Sequence, residues 1–207
     1  MADYILVASS DADANPYTPA NISVPVGTMR NYTGAGLSCT GSGAGFLAVH
    51  NVAYGDLITT KLTLGANLGS DLIQLLAIVR SGANANATVG VHVIGTTVQF
   101  KSETPAEVMT SNGTATLASS PVSGDVLIMT YRKSTGNITL SINGTNITSS
   151  GDANDTTYSA ETSLSAGWGV YGANDGSVRV GMVELTGVSA GGASAKLLSM
   201  LNNQAGF

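Results

Sequence analysis

Paired carboxylates would be the clearest sign of hydrolytic chemistry in this sequence, because cleavage of a glycosidic bond needs two of them flanking the bond. On a β-strand the two groups would stand two residues apart, since alternate residues point to the same face. The chain has four glutamates, Glu103, Glu107, Glu161 and Glu184, and none has another carboxylate two residues away. This spacing predicts that the protein has no catalytic residues and is not an enzyme.

The histidines and the single cysteine do not form a recognisable site either. His50 and His92 lack the spacing of metal ligands, and Cys39 has no second cysteine with which to form a disulfide. We interpret each histidine as a strand residue with its ring on a solvent or interface face. The sequence has no Gly-X-Ser-X-Gly nucleophile motif, and the glycine-rich residues 41–45 lack the lysine of a phosphate-binding loop. We therefore predict no cofactor.

One stretch has the alternating oxygen ligands that open a calcium loop. Asp11, Asp13 and Asn15 follow this pattern, but the downstream glycine and bidentate glutamate of an EF-hand are missing. Aspartate and asparagine side chains bond to nearby backbone groups in turns by default. The pattern favours a turn over a metal site, and the same interpretation applies to Asp152, Asn154 and Asp155. We predict no metal, and calcium binding by Asp11 and Asp13 is left open.

Composition and charge exclude several classes of function. The chain has 207 residues, 43% of them hydrophobic and only 10% charged, with a net charge of −5. It has no cluster of basic residues, which nucleic-acid binding would require. The N-terminus does not resemble a secretory signal, and no apolar run is long enough to span a membrane. A surface so poor in charge is typical of a protein that is covered by neighbours.

Short apolar or alternating segments recur along the chain, which is typical of β-strands. Residues 73–80 are almost all apolar and predict a strand buried on both faces. Pro25 restricts residues 22–26 to an edge strand, whereas the glycine-rich residues 33–45 are predicted to form a loop. Asn143-Gly144 predicts a tight hairpin turn, and Gly181 predicts a bulge or a close approach of another strand. The other predicted strands are residues 4–8, 46–50, 57–64, 89–94, 96–100, 126–131, 138–142, 145–148, 168–171 and 178–182.

The C-terminal segment differs in composition from the rest. Gly191-Gly192 reads as a hinge, and residues 194–203 have a helical composition. Leu197, Leu198 and Leu201 would share one face of this helix, with Met200 beside them. So short a helix must pack on something, either its own sandwich or a neighbouring subunit. We therefore divide the chain into a sandwich over residues 1–188 and a hinge with a partner-docking arm over residues 189–207.

Three stretches resemble the concanavalin A-like jelly-roll superfamily, which includes laminin G-like and legume-lectin-like domains. They are residues 75–80 with 91–94, residues 124–131 with 135–144, and residues 168–172 with 178–185. The resemblance spans residues 4–188 and implies an all-β, antiparallel two-sheet sandwich. Glucanases of this superfamily carry Glu-X-Asp-X-Glu or a near variant on one strand, and this chain lacks it. Tyr131, Trp168 and Tyr171 could offer faces for stacking on sugars, although Trp168 fits better in the core.

Fold alone does not determine function within such a superfamily. The absent signal, the absent catalytic pair, the charge-poor composition and the C-terminal arm favour a bacteriophage virion structural protein, either a capsid decoration (cement) protein or a fibre-type component. Its expected partners are other virion proteins and copies of itself, with a trimer favouring this role, and its expected location is the virion. A lectin-like module that recognises host glycans is the alternative, and a hydrolase is the third hypothesis.

Overall fold

The alternating segments form β-strands that build two stacked sheets. The computed structural model describes residues 4–40, 45–106, 108–172 and 179–189. A short 3₁₀ turn, Ala8–Ser10, follows the first strand. The strands, numbered in chain order, are β1 (Tyr4–Leu6), β2 (Ile22–Gly27), β3 (Met29–Tyr32), β4 (Gly36–Cys39), β5 (Gly45–His50), β6 (Tyr54–Leu64), β7 (Leu72–Val79), β8 (Thr88–Ile94), β9 (Thr97–Glu103), β10 (Met109–Thr116), β11 (Val126–Arg132), β12 (Asn137–Ile142), β13 (Thr145–Ile147), β14 (Leu164–Tyr171) and β15 (Val180–Ser189).

The first sheet is centred on the long strand β6. Its order is β13-β12-β11-β6-β15-β4-β3, and β1 pairs with β15 beside this path. β6 pairs antiparallel with β11 on one side and with β15 on the other. An ion pair between Lys61 and Glu184, 2.6 Å apart, lies across the β6–β15 pair.

The second sheet is centred on β7. Its order is β10-β9-β8-β7-β14-β5-β2, again with antiparallel pairing. β8 and β9, which cover two of the predicted strands, form a hairpin around Gly95, and Gly95 has a φ of +54°. β2 lies at the end of the order, as expected for a strand that contains Pro25.

The core lies between the two sheets and is filled from both. Trp168 on β14 is fully buried there, as predicted, and meets Phe46 of β5 edge to face with 6.3 Å between ring centroids. Ile58 and Leu62 of β6 reach the same core from the first sheet. The prediction of an all-β, two-sheet antiparallel jelly-roll sandwich is therefore confirmed. Within the described residues, no helix is long and apolar enough to cross a membrane.

Two special backbone positions predicted from sequence are also found. Asn143 and Gly144 have φ values of +51° and +80°, the conformation that a two-residue hairpin between twisted strands requires. The pairing of β15 with β6 shifts register between Val180 and Met182, so Gly181 lies in a bulge.

The prediction of a loop over residues 33–45 is wrong for residues 36–39 and for Gly45, which begins β5. Residues 36–39 form β4, which is buried along its whole length between β3 and β15. Gly36 has a φ of +106°, and a Cβ atom there would lie 2.2 Å from the carbonyl oxygen of Val180. These glycines therefore allow close strand packing, whereas their density was interpreted as flexibility.

Strand β10 was not predicted either. Its sequence, Met109–Thr116, is polar and includes Gly113, and most of its side chains are exposed or half-buried. It is the terminal strand of the second sheet, so it gains its backbone partners from β9 on one side only. An edge strand whose two faces are both exposed to solvent lacks the alternation of apolar and polar residues from which a strand is predicted.

Candidate functional site

The strongest candidate site lies on the outer face of the second sheet, which we define as the face turned away from the first sheet. Along β7, Ile73, Leu75, Ala77 and Val79 belong to the main core, so Gln74, Leu76 and Ile78 point outward. The prediction that this strand is buried on both faces is correct, since Leu76 and Ile78 are fully buried. They join Leu47 and Val49 of β5 in a separate cluster, which we call the aliphatic patch.

A row of polar side chains crosses the outer face beside this patch. The strand register places Gln99 opposite His92, and His92 opposite Gln74. The Gln74 Nε2 atom lies 3.1 Å from His92 Nε2, and both side chains are buried. On the far side, Gln74 faces Gly169, where a Cβ atom would lie 2.1 Å from Gln74 Oε1. The glycine therefore leaves the space that the glutamine side chain occupies.

Burial keeps the His92 ring neutral. Loss of solvent, with a smaller effect of the nearby Lys101 ammonium, lowers the pKa of His92 to about 3. A neutral imidazole has one nitrogen that can accept a hydrogen bond, and the Gln74 amide can donate to it. His92 was expected on a solvent or interface face. Its side chain does point away from the first sheet, but it is buried, so the expectation of an exposed ring is wrong.

His50 is also buried, which corrects the same expectation for that residue. Its Nδ1 atom lies 2.6 Å from the hydroxyl of Tyr54, and its ring packs on that of Tyr4. Burial, helped by the charge of Arg80, lowers the pKa of His50. This histidine ties the end of β5 to the start of β6 and does not reach the outer-face groove.

A groove of about 130 Å³ opens on the outer face next to the polar row. One wall contains the ring of Tyr171, which occupies the space that a side chain at Gly45 would need: a Cβ atom there would lie 2.0 Å from Tyr171 Cδ1. The groove therefore combines an aromatic ring with hydrogen-bonding groups. Its lining residues are Val26, Leu47, Gln74, Asn86, Thr88, Glu103, Thr104, Pro105 and Tyr171.

Of the three aromatic residues that could stack on a sugar, only Tyr171 lines this groove. Trp168 and Tyr131 are fully buried in the core. Tyr171 is half-buried and lies at the end of β14, where its ring borders the groove. The sequence thus named Tyr171 as one of three aromatic residues and could not separate it from the other two.

Among the described residues, the groove lacks a pair of catalytic acids. Glu103 is the one carboxylate among the lining residues. Thr88 stands opposite it on β8, and the next outward position on β9 is Lys101. Acid/base cleavage of a glycosidic bond needs a second carboxylate across the bond. The arrangement instead offers a charged acceptor, amides, hydroxyls and an aromatic face, which suits a polyhydroxylated ligand.

Sequence reasoning missed the polar row, although a signal was present. Gln74 is the one polar residue in the apolar strand Leu72–Val79, and His92 is the one ionisable residue in Thr88–Ile94. A polar group buried on such a strand needs a partner, because an unpaired one is costly. Two lone polar residues on neighbouring strands would therefore have been expected to meet.

The Asp11 segment forms a turn tied to the neighbouring strand. The Tyr17 hydroxyl donates to the Asp11 carboxylate, and Asp13 accepts from the backbone N–H of Thr33 at 2.9 Å. The Asn31 amide donates to the backbone oxygens of Asp11 and Ala12. In the part of the chain that the structure describes, no group of three or more His, Cys, Asp or Glu side chains could hold a metal ion.

Asp155 anchors the long loop before β14. Its carboxylate accepts from the Asn112 amide at 2.9 Å and from the Thr157 N–H at 2.7 Å, and the Tyr131 hydroxyl donates to its backbone oxygen at 2.9 Å. Burial alone would raise the pKa of Asp155, but hydrogen bonds from Ser102, Thr157 and Asn112 outweigh it and hold the pKa below its usual value. Asp155 therefore acts as a structural acceptor.

Replacing Asp155 by alanine should destabilise the protein, because the buried Ser102 hydroxyl, the half-buried Asn112 amide and the Thr157 N–H lose their acceptor. We expect Asp155→Ala to lower the free energy of unfolding by about 2 kcal/mol. The matched control is Asp152→Ala, since Asp152 is exposed and its bond goes to the exposed Asn154. Urea denaturation at pH 7 measures both, and equal losses in the two variants would contradict the assignment.

The predicted docking arm, with Leu197, Leu198, Met200 and Leu201, lies outside the described residues. The proposed boundary at residue 188 also stays a prediction. The last described strand, β15, runs to Ser189.

Comparison with known proteins shows the fold. No family model and no curated protein matches the chain. Among solved structures, the apo form of Crh5 transglycosylase is 13% identical with a TM-score of 0.55, covering 93% of this chain and 86% of that one. The laminarinase from Rhodothermus marinus is 9% identical with a TM-score of 0.54, covering 88% and 95%. Carbohydrate-binding module CBM66 from Bacillus subtilis is 12% identical with a TM-score of 0.51, covering 82% and 93%. These are concanavalin A-like jelly-roll folds of the glucanase and lectin type.

Proposed function

We propose that this protein binds carbohydrate, without cleaving it, in the groove on the outer face of its second sheet. The observation that carries the proposal is the composition of the groove. Tyr171 provides an aromatic ring, and Gln74, Asn86 and Glu103 provide amides and a carboxylate around it. Sugars are recognised by this combination because a pyranose ring has apolar C–H faces and a rim of hydroxyls.

The structural neighbours support this class of ligand. Two of them are named as a transglycosylase and a laminarinase, and a third as a carbohydrate-binding module. The fold therefore occurs in proteins with and without catalysis. The single lining carboxylate, Glu103, favours the second group for this chain.

A glycan array of neutral and acidic oligosaccharides, followed by calorimetric titration of the strongest hit, tests the proposal. We expect Tyr171→Ala to weaken binding about 10-fold, as loss of one stacked ring predicts. Tyr32→Ala is the matched control, because Tyr32 is an aromatic residue on β3 of the other sheet. Absence of any array hit, or a Tyr171→Ala variant that binds like the parent, would refute the proposal.

A second candidate is a structural role in a larger assembly, such as the bacteriophage virion predicted from composition. It is supported by exposed apolar side chains at sheet edges: Ile5 on β1, Val26 on β2, and Val108 and Met109 at the start of β10. Such side chains at open edges favour association with another chain. Light scattering distinguishes this role: a stable oligomer that Met109→Lys dissociates would support it, and a monomer in solution would weigh against it.

A further inference from the structure

Lys101 lies on the outer face of the second sheet, next to the groove. The burial of β9 alternates, with Val98, Phe100 and Ser102 on the core side, so Lys101 and Glu103 both point outward. Glu103 lines the groove. Two residues along a strand span roughly 7 Å, so Lys101 occupies the outward position that directly follows the groove lining on this strand.

The two residues paired with Lys101 are small. The strand register places Gly90 of β8 opposite Lys101 on one side and Ser111 of β10 on the other. Gly90 has no side chain, and Ser111 is exposed, while Lys101 itself is half-buried. A ligand that extends from the groove along β9 can therefore approach the lysine without meeting a large side chain from either paired residue.

The Lys101 ammonium has a poor hydrogen-bond acceptor. Its Nζ atom lies 3.0 Å from Sδ of Met109, and this is its one hydrogen bond among the described residues. A thioether sulfur is a weak acceptor, whereas an ammonium group has three N–H donors. Burial lowers the pKa of Lys101 by more than the nearby Glu103 carboxylate raises it. The site therefore holds a partly desolvated positive charge with more donors than acceptors.

We propose that Lys101 binds an anionic group of the carbohydrate, a carboxylate or a sulfate, so that the groove and Lys101 together select acidic oligosaccharides. This inference rests on the proposed carbohydrate binding and names the class of sugar. Glu103 would accept hydrogen bonds from sugar hydroxyls, and Lys101 would donate to the anionic oxygens. The opposite charges of the two residues orient the sugar, because its acidic group is attracted by Lys101 and repelled by Glu103.

Matched pairs of oligosaccharides on a glycan array test the inference. Each uronic acid oligosaccharide is placed beside its carboxyl-reduced neutral form, and each sulfated galactan oligosaccharide beside its desulfated form. We expect the protein to bind the acidic member of one kind of pair about 10-fold more tightly, as one charge-assisted hydrogen bond predicts. The kind of pair that shows the preference distinguishes carboxylate from sulfate. The preference should decrease as sodium chloride is added, because salt screens the attraction.

Two variants assign the preference to a residue. Lys101→Gln removes the charge and keeps a long polar side chain, so the acidic and neutral members of a pair should bind to it equally well. Lys61→Gln is the matched control, because it removes the same charge from β6 of the first sheet and should keep the preference. Calorimetric titration of the best pair measures both variants, and their melting temperatures verify that they are folded.

The outcomes separate this inference from the proposed function. Binding of sugars without preference for the acidic member of any pair would overturn the inference and leave carbohydrate binding intact. A Lys101→Gln variant that keeps the preference would also overturn it, since another residue would then hold the anionic group. Absence of binding to every member of both kinds of pair would refute the proposed function itself, and this inference with it.

Discussion

Acidification from pH 6.5 to pH 4.5 should lower the free energy of unfolding by roughly 2 kcal/mol through His92 alone. The unfolded histidine has a pKa of about 6.5, whereas burial on the outer face lowers the pKa of folded His92 to about 3. Between these values the unfolded state binds one more proton than the folded state. Stability therefore falls with decreasing pH by about 1.4 kcal/mol per unit, and the loss is complete only near pH 3.

His92→Gln should remove the part of the slope that comes from His92, because a glutamine side chain does not titrate. Urea denaturation at four pH values between 7 and 4.5, at constant ionic strength, measures it. Aspartates and glutamates of the unfolded chain, with pKa values of about 3.9 and 4.3, begin to protonate in the lower part of this window. The slope of His92→Gln is therefore compared with the slopes of the parent and of a control variant, because all three carry the same carboxylates. His50→Gln is the control, since His50 is buried elsewhere and its replacement leaves the His92 contribution intact. An unchanged slope in His92→Gln would show that the folded protein accommodates the charged ring.

The strands that could be predicted from sequence are those with one apolar and one polar face and those with two apolar faces. The segment from Val126 to Ile142 and the apolar strand β7 are of these kinds, and both were found as expected. β4 and β10 were missed for opposite reasons. Glycines conceal the burial of β4, and β10 lies at an edge with little apolar surface. The alternation of apolar and polar residues indicates a strand only where apolar side chains are buried. It therefore gives no signal for a strand whose buried residues include glycine, or for a strand that is not buried.

The candidate groove could not be predicted from sequence, because the residues beside it are brought together by the register of the paired strands. Gln99, His92 and Gln74 come from three strands and become neighbours only through the pairing of β9, β8 and β7. A shift of one residue in either pair would turn one of these side chains to the core face. Tyr171 was a candidate only as one of three aromatic residues, because its position over Gly45 depends on the distant strand β5. Local patterns specify the faces of strands but not which side chains meet across them.

Glycines within strands test whether contacts across paired strands, which local patterns do not reveal, determine stability. We expect Gly90→Ala to lower the free energy of unfolding by about 3 kcal/mol, at the upper end of the range for overpacking in a core. Gly90 lies on β8 opposite Leu76 of the aliphatic patch. A Cβ atom at residue 90 would lie 2.2 Å from the Leu75 carbonyl oxygen and 3.0 Å from Leu76 Cα. Both are backbone atoms of β7, so relief requires the two strands to separate, which would also distort the polar row.

Gly181→Ala is the matched control, because Gly181 also lies in a strand but has room. A Cβ atom there would lie 3.5 Å from its nearest neighbour, Gly65 Cα, which is ordinary contact. We expect this variant to stay within about 0.5 kcal/mol of the parent. Urea denaturation measures the free energy of unfolding of both variants. Equal values for the two variants would show that the β7 backbone moves away from residue 90 with little loss of stability. From sequence alone Gly181 was singled out and Gly90 was not, although the structure gives Gly90 the tighter surroundings. Gly181 interrupts the alternation of residues in its own strand, so the sequence indicates it. The close contact of Gly90 is with the backbone of the paired strand, so it can be recognised only once the pairing is known.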